Sequence, residues 1–256
     1  MNADWQNRYE AATLAAKKAG QLAMQYFDSE FQVEWKQDQS PVTVADRESE
    51  TLLRKELLER FPEDGCLGEE FGDSPGTSGF RWIIDPIDGT RSFVRGLPLW
   101  ACLVGLEYQG EPIMGVAEVP ALGHTYRALK GEGCFKNDRK IQVSSVDTLE
   151  KSHMYYSSIN WFLGAGREKP FLELIRRTER QRGYGDFYGF VLVAEGAGEM
   201  MIEYGCHPWD LCALSAIVTE AGGTLTNWHN KPTIYQKDVI ASNKLVHEAA
   251  LKYLQE

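Results

Sequence analysis

A mixed α and β protein, α+β over residues 1–150 and α/β over residues 151–256, is expected from three features of the chain. Two long amphipathic stretches open it. Short apolar runs separated by Gly- and Pro-containing turns then succeed one another from residue 80 to 143. Beyond residue 150, strand-like and helix-like stretches alternate.

In the first helix, spanning residues 4 to about 29, Ala11, Ala12, Leu14, Ala15, Ala19, Leu22, Ala23 and Tyr26 form a broad apolar face. Val33-Glu34-Trp35 reads as a strand and Lys36-Gln37-Asp38-Gln39-Ser40-Pro41 as a polar break. After Val42-Thr43 a second helix runs to about Arg60, with Leu52, Leu53, Leu57 and Leu58 inward. Asp46 falls in its first turn, where negative charge suits the helix dipole. Phe61-Pro62-Glu63-Asp64-Gly65 is a turn, and Cys66-Leu67-Gly68-Glu69-Glu70-Phe71 places two acids after a short strand. Residues 72–79 read as a flexible polar loop.

Trp82-Ile83-Ile84 has the length and branching of a short buried strand. Asp85 and Asp88 follow at its end, three positions apart, with Pro86 stiffening the bend between them. Gly89-Thr90 open a short helix whose first N–H groups can hold an oxyanion. Strands at 100–108, 113–119 and 124–129 come next, then a hairpin at 131–137 and Ile141-Gln142-Val143. Together they form a mostly antiparallel sheet covered by the two N-terminal helices. Farther on, strands are expected at 154–157, 199–203, 224–226 and 239–241. Helices are expected at 170–177, 186–195, 208–221 and 244–254. The third of these is closed by Gly222-Gly223. Nothing reads as a linker, so the two halves share an extended interface.

At 43% hydrophobic and 25% charged residues, the composition is that of a soluble globular protein. A net charge of −10 argues against nucleic-acid and anionic membrane partners, and it repels a phosphate unless cations intervene. Five cysteines, an odd number without C-x-x-C spacing, read as reduced core thiols and not as a zinc site. The N-terminal residues lack the basic and apolar regions of a signal peptide, and no apolar run nears the roughly 20 residues of a membrane span. A cytoplasmic location is therefore expected.

Acids clustered beside an anion-binding helix start make sense if cations lie between carboxylates and phosphate. On local grounds Asp46, in the first turn of its helix, serves equally well as a dipole partner, and Asp210 reads first as one. His207, beside Pro208 and Trp209, reads as a packed histidine.

The run Trp82-Ile83-Ile84-Asp85-Pro86-Ile87-Asp88-Gly89-Thr90 has Gly68-Glu69-Glu70 upstream. Downstream stand Trp209-Asp210 and Glu220-Ala221-Gly222-Gly223. In this order and spacing the blocks resemble the inositol monophosphatase family, magnesium-dependent and typically lithium-sensitive phosphomonoesterases. The resemblance spans nearly the whole chain. It implies a layered αβαβα sandwich of the inositol monophosphatase and fructose-1,6-bisphosphatase type, with the site between the halves and commonly a homodimer. It implies two or three Mg2+ ions per site. Glu69, Asp85 and the Ile87 carbonyl would hold the first ion; Asp85 would bridge to a second, shared with Asp88 and Asp210; a third would lean on Glu69 and water. Gly89 and Thr90 would offer N–H groups to the phosphate, while Asp46 and Thr90 would aim the attacking water. No phosphoenzyme is expected.

Three stretches, Ser40 to Arg47, Thr90 to Trp100 and Tyr184-Gly185-Asp186-Phe187-Tyr188, are similar to the histidinol-phosphate phosphatases of this family. Hydrolysis of L-histidinol phosphate, a step of histidine biosynthesis, is what that similarity implies. The leaving group carries an ammonium and an imidazole, so Asp186 and Glu203, with Tyr188 and Trp100, are its candidate contacts. Asp186 is equally placed to cap a helix. Arg95 would close over the phosphate or contact a neighbouring subunit. The alternative substrates are myo-inositol 1-phosphate or assorted sugar and nucleotide monophosphates, although inositol-specific members carry small or hydroxylated residues where Gly185-Asp186 stands. A non-catalytic metal- and phosphate-binding regulator would have lost one of Asp46, Glu69, Asp85, Asp88, Thr90 or Asp210, and all are present.

Overall fold

The apolar faces of the first two helices are buried on a common sheet, apart from Leu14, which points to solvent. A computed structural model describes residues 2–27, 29, 33–35 and 41–255. The polar break expected at 36–40 lies outside the described residues. Helices α1 (Ala3–Phe27) and α2 (Val44–Arg60) flank a two-stranded antiparallel ribbon, β1 (Val33–Trp35) with β2 (Pro41–Thr43).

An eight-stranded sheet follows: β3 (Gly65–Gly68), β4 (Gly72–Ser74), β5 (Phe80–Asp88), β6 (Ala101–Tyr108), β7 (Glu111–Val119), β8 (His124–Leu129), β9 (Gly133–Lys136) and β10 (Arg139–Ile141). Its order is β10-β9-β8-β7-β6-β5-β3-β4, with β3 parallel to β5 and the other described pairs antiparallel. The four-residue helix α3 (Thr90–Phe93) follows β5. The second sheet holds β11 (His153–Tyr156), β12 (Arg180–Arg182), β13 (Met200–Tyr204), β14 (Thr224–Thr226) and β15 (Asp238–Ser242), in the order β12-β11-β13-β15-β14. Here β11 runs parallel to β12 and β13, whereas β15 is antiparallel to its neighbours. Helices α4 (Ile159–Gly164), α5 (Glu168–Arg177), α6 (Asp186–Ala194), α7 (Pro208–Glu220) and α8 (His247–Leu254) complete the chain.

Side-chain alternation along the strands sets the layers. Trp82, Ile84, Cys102 and Val104 face α1 and α2, where Ala12, Ala15, Ala16, Leu53 and Leu57 meet them. Ile83, Leu103 and Ala117 point the other way, into a core shared with Val191 of α6, Leu211 and Ile217 of α7, and Met201 and Ala241 of the second sheet. That sheet's outer face, Met154, Met200, Ile202 and Ile240, is closed by Phe162, Phe171 and Leu251. The result is the expected αβαβα sandwich. All five cysteines are buried and unpaired. Among the described residues, no helix is long and apolar enough to cross a membrane.

Several local expectations change. Leu52 and Leu58 are only half-buried, because Leu53 and Leu57 take the centre of the helix face. Residues 72–79 are only in part a loop: Gly72, at φ +67°, reverses the chain so that β4 returns along β3. The last helix begins at His247 and not at 244, since Lys244 sits at φ +75°, outside helical geometry. Both α4 and β12 were unforeseen.

The middle helix layer lies very close to the large sheet. Gly105 of β6 and Gly115 of β7 are cross-strand partners under α7. A Cβ on Gly115 would stand 2.0 Å from the Ala213 carbonyl oxygen, and one on Gly105 would stand 2.5 Å from Cys212 Sγ. Only glycine permits this approach.

Candidate active site

Alternation along β5 places Asp85 on the same face as Ile83, toward α7. Three residues farther, Asp88 would ordinarily face away. Here Asp85 pairs with Leu103 and Asp88 with Ala101, so three steps on β5 match two on β6. That one-residue bulge returns Asp88 to the Asp85 face. Pro86, which has no N–H to offer a ladder, sits inside the bulge, and the Ile87 N–H donates to Asp85 Oδ1 at 3.0 Å.

Two helix starts meet this pair from the other side. Asp210 is the third residue of α7, where its Oδ2 accepts the His207 N–H at 2.7 Å in a capping box. Its local role as a cap is therefore real, and the helix also carries it to the strand acids. Asp85, Asp88 and Asp210 each present an oxygen within 4.8 Å of the others. At the start of α6, the Phe187 N–H donates to Asp88 Oδ2 at 2.6 Å. Asp186 itself takes φ +55°, a left-handed conformation that Asp tolerates better than most residues. Gly185 holds the N-cap position and no side-chain capping bond is formed there, while Asp186 Oδ2 lies 3.3 Å from where a Cβ on Gly89 would be. His207 is exposed and stacks on Trp209 at 4.7 Å between ring centroids.

The phosphate side is built from α2 and α3. Gly89, at φ +86°, turns the chain into α3, and a Cβ there would lie 2.9 Å from the Leu99 carbonyl oxygen. Thr90 begins the helix, so the first N–H groups have no partner within it. Asp46 does two jobs: Oδ2 accepts the Thr43 N–H at 2.7 Å, capping α2, while Oδ1 stands 3.4 Å from the Thr90 hydroxyl. That hydroxyl also lies 2.9 Å from the Ile87 carbonyl oxygen. Ala23, Ala45, Ile87, Phe93 and Trp100 pack together beneath and hold the two helix starts in register.

Glu69 is half-buried in the turn after β3, near enough for its charge to act on Asp85 and Asp210. A buried carboxylate on α2 positions it. Glu50 of α2 is fully buried, and its carboxylate accepts the Glu70 N–H at 2.7 Å and the Phe71 N–H at 3.2 Å. Arg54 binds Glu50 at 2.8 Å and reaches the Gly72 carbonyl. The carboxylate fits only because Gly68 lacks a Cβ, which would stand 2.1 Å from it. In sequence, Glu50 and Arg54 look like an ordinary i,i+4 surface pair. Glu50→Ala is expected to free the Glu69 turn and raise the metal concentration for half-maximal activity by about 10- to 100-fold, as removing a ligand-orienting partner does. A metal titration of activity checks it; an unchanged half-saturation removes Glu50 from this role.

Electrostatics decide what the site can hold. Burial, reinforced by neighbouring acids, pushes the Asp85, Asp88 and Glu203 carboxyls well above their usual range. Burial likewise raises Asp210 to about 8 and Asp186 to about 6, with Arg91 opposing the shift at Asp186. Asp85 and Asp210 bring carboxylate oxygens within 4.8 Å of each other away from water, an approach that a proton or a cation between them relieves. The chain thus supplies a buried, oxygen-rich acidic cluster able to bind metal.

The structure therefore gathers Asp46, Glu69, Asp85, Ile87, Asp88, Gly89, Thr90, Asp186, Glu203 and Asp210 around one face. Arg95 is exposed in the turn after α3. Arg91, unremarked in the sequence, is the cation acting on Asp186.

A model of the inositol monophosphatase family matches residues 4–256. A protein of Chlorobaculum parvum described as histidinol-phosphatase is 40% identical, over 89% of this chain and 88% of its own. Another so described, from Streptomyces coelicolor, is 38% identical over 99% of this chain and 98% of its own. The solved Thermotoga maritima IMPase aligns with a TM-score of 0.88 at 31% identity, covering 97% of each chain.

Proposed function

This chain belongs to the inositol monophosphatase family and is a phosphoric monoester hydrolase, and we propose that the ester it cleaves is L-histidinol phosphate. The observation that carries this reading is a second pair of acids, Asp186 and Glu203, whose charges act on Asp88 beside the strand-end cluster. A leaving group bearing an ammonium and an imidazole suits a site that stays acidic beyond the groups needed for metal. The two relatives described as histidinol-phosphatases support it.

Glu69, Asp85, Asp88, Asp210 and the Ile87 carbonyl would hold two or three Mg2+ ions, since carboxylate and carbonyl oxygens suit a hard cation. When bound, the ions would screen the phosphoryl oxygens and bring the pKa of water toward about 7. Gly89 and Thr90 direct their N–H groups at the phosphate, assisted by the helix start. Asp46 accepts from the Thr90 hydroxyl and fixes its orientation toward the attacking water. Attack is direct and in line, with no side-chain nucleophile. Histidine biosynthesis is the corresponding pathway, the active form is a homodimer, and the chain divides near residue 150.

The experiment is a substrate panel: histidinol phosphate, myo-inositol 1-phosphate, fructose 1,6-bisphosphate and adenosine 3′,5′-bisphosphate under one Mg2+ concentration. Histidinol phosphate is expected to lead in kcat/KM by at least about tenfold, about 1.4 kcal/mol. A tenfold preference for inositol phosphate would instead establish the inositol-1-monophosphatase reading, which the Thermotoga maritima IMPase favours. Asp186→Ala is expected to lower kcat/KM for histidinol phosphate about tenfold more than for an aryl phosphate, the typical worth of a charge-assisted contact. Equal losses would make Asp186 a structural residue only.

A further inference from the structure

The short helix α4, invisible in the sequence, carries Ile159, Trp161 and Leu163, all about half exposed. Its position is tied to the two acids of the leaving-group side. Ser157, two residues before it, lies beside Glu203 and partly offsets the rise that burial causes in its carboxyl. The same serine is packed so tightly on Gly185 that a Cβ there would lie 2.7 Å from its Oγ. Ser158 then caps α4 through the Asn160 N–H.

Strand β13 sends alternate side chains to the outer core and to the site. Met200, Ile202 and Tyr204 face the outer core with Phe162, whereas Met201 joins the core beneath α6 and α7, so Glu203 also faces the site. Gly205, at φ +100°, is the next residue after the strand. A Cβ on Gly205 would stand 3.6 Å from Trp161 Cδ2 and Cε3, so the indole covers the place where this residue has no side chain. Phe162 anchors the helix in the outer core, stacked on Phe171 at 4.5 Å, and leaves Trp161 49% exposed against Gly205, two residues along the chain from Glu203.

We infer that Trp161 is a specificity-determining residue, its indole forming an aromatic wall against which the cationic, ring-bearing part of the leaving group rests. The inference rests on the substrate proposed above. Acids neutralise a cation from one side, and the negative face of an indole attracts it from another. A wall held by a glycine contact and a buried neighbour needs little reorganisation on binding.

The test compares Trp161→Ala, Trp161→Leu and Trp161→Phe on histidinol phosphate and on glycerol 2-phosphate, which has neither ring nor ammonium. For histidinol phosphate, Trp161→Ala and Trp161→Leu are expected to raise KM about 5- to 10-fold with kcat little changed, the range of a partly desolvated cation–π contact. Trp161→Phe is expected to recover most of the loss, and all three variants should handle glycerol 2-phosphate like the parent. Unchanged KM for histidinol phosphate overturns the inference alone, provided the parent prefers that substrate. Equal losses on both substrates, with a shift in sedimentation, overturn it in favour of a subunit contact. A parent enzyme with no preference for histidinol phosphate over inositol phosphate defeats the substrate reading first and this inference with it.

Discussion

Asp88→Asn is expected to lower kcat/KM for every phosphomonoester by at least about 100-fold, about 2.7 kcal/mol of transition-state stabilisation. The change is nearly isosteric. Its amide oxygen can still accept the Phe187 N–H, now 2.6 Å from Asp88 Oδ2, so the start of α6 keeps its anchor. What disappears is one negative charge from three acids whose oxygens lie within 4.8 Å of one another. Fewer charges hold metal less well, and saturating Mg2+ is expected to restore only a small part of the activity. Stability should move the other way. In metal-free protein the acids repel one another in a dry setting, so removing one is expected to raise Tm by about 2–4 °C, near 1 kcal/mol for a chain of this size. Activity assays across an Mg2+ titration and melting in a chelator check both halves. Turnover equal to the parent at saturating Mg2+ would sink the assignment of Asp88 as a ligand.

Gly115→Ala is expected to destabilise the protein by about 3 kcal/mol, with Tm falling about 6–12 °C. The added carbon would meet the Ala213 carbonyl oxygen at 2.0 Å and its carbonyl carbon at 2.7 Å. These are main-chain atoms of α7, so no rotamer change relieves them and the helix has to rise off the sheet. Asp210 sits three residues before Ala213 on that helix, and a displaced α7 takes it away from Asp85 and Asp88. A higher Mg2+ requirement should accompany the loss of stability. Gly164→Ala, where the new carbon meets nothing within 4 Å, serves as the control and should change stability by less than about 1 kcal/mol. A Gly115→Ala protein with parental Tm and Mg2+ half-saturation would show that the close packing of α7 is not required.

Much of the site was legible because its parts announce themselves locally. Asp85 and Asp88 end a strand and Gly89-Thr90 start a helix, whereas Asp46 and Asp210, each third in a capping box, read locally as dipole partners and join the site only through the family resemblance. These patterns arise from short-range backbone needs, which a sequence displays. Glu50 stayed hidden for the opposite reason. Its partners, the N–H groups of Glu70 and Phe71, are 20 and 21 residues away, and nothing near Glu50 distinguishes a buried carboxylate from a solvated one. Arg91 carries no signal in the sequence because its charge acquires meaning only when α6 delivers Asp186 near it. Helix α4 escaped because six residues are too few to show a 3.6-residue period, and its apolar positions serve two different surroundings.

The sequence by itself determined which stretches become helix or strand, the chemistry of the donors and the order in which they occur. Hydrophobic period and turn residues are local, and they choose helix or strand before any long-range contact forms. Whether the donors converge was decided only by tertiary structure. One extra residue in the ladder turns Asp88 to the Asp85 face, and two paired glycines let α7 approach until Asp210 joins them. Both devices act between elements distant in the chain, through strand register and the missing volume of two side chains.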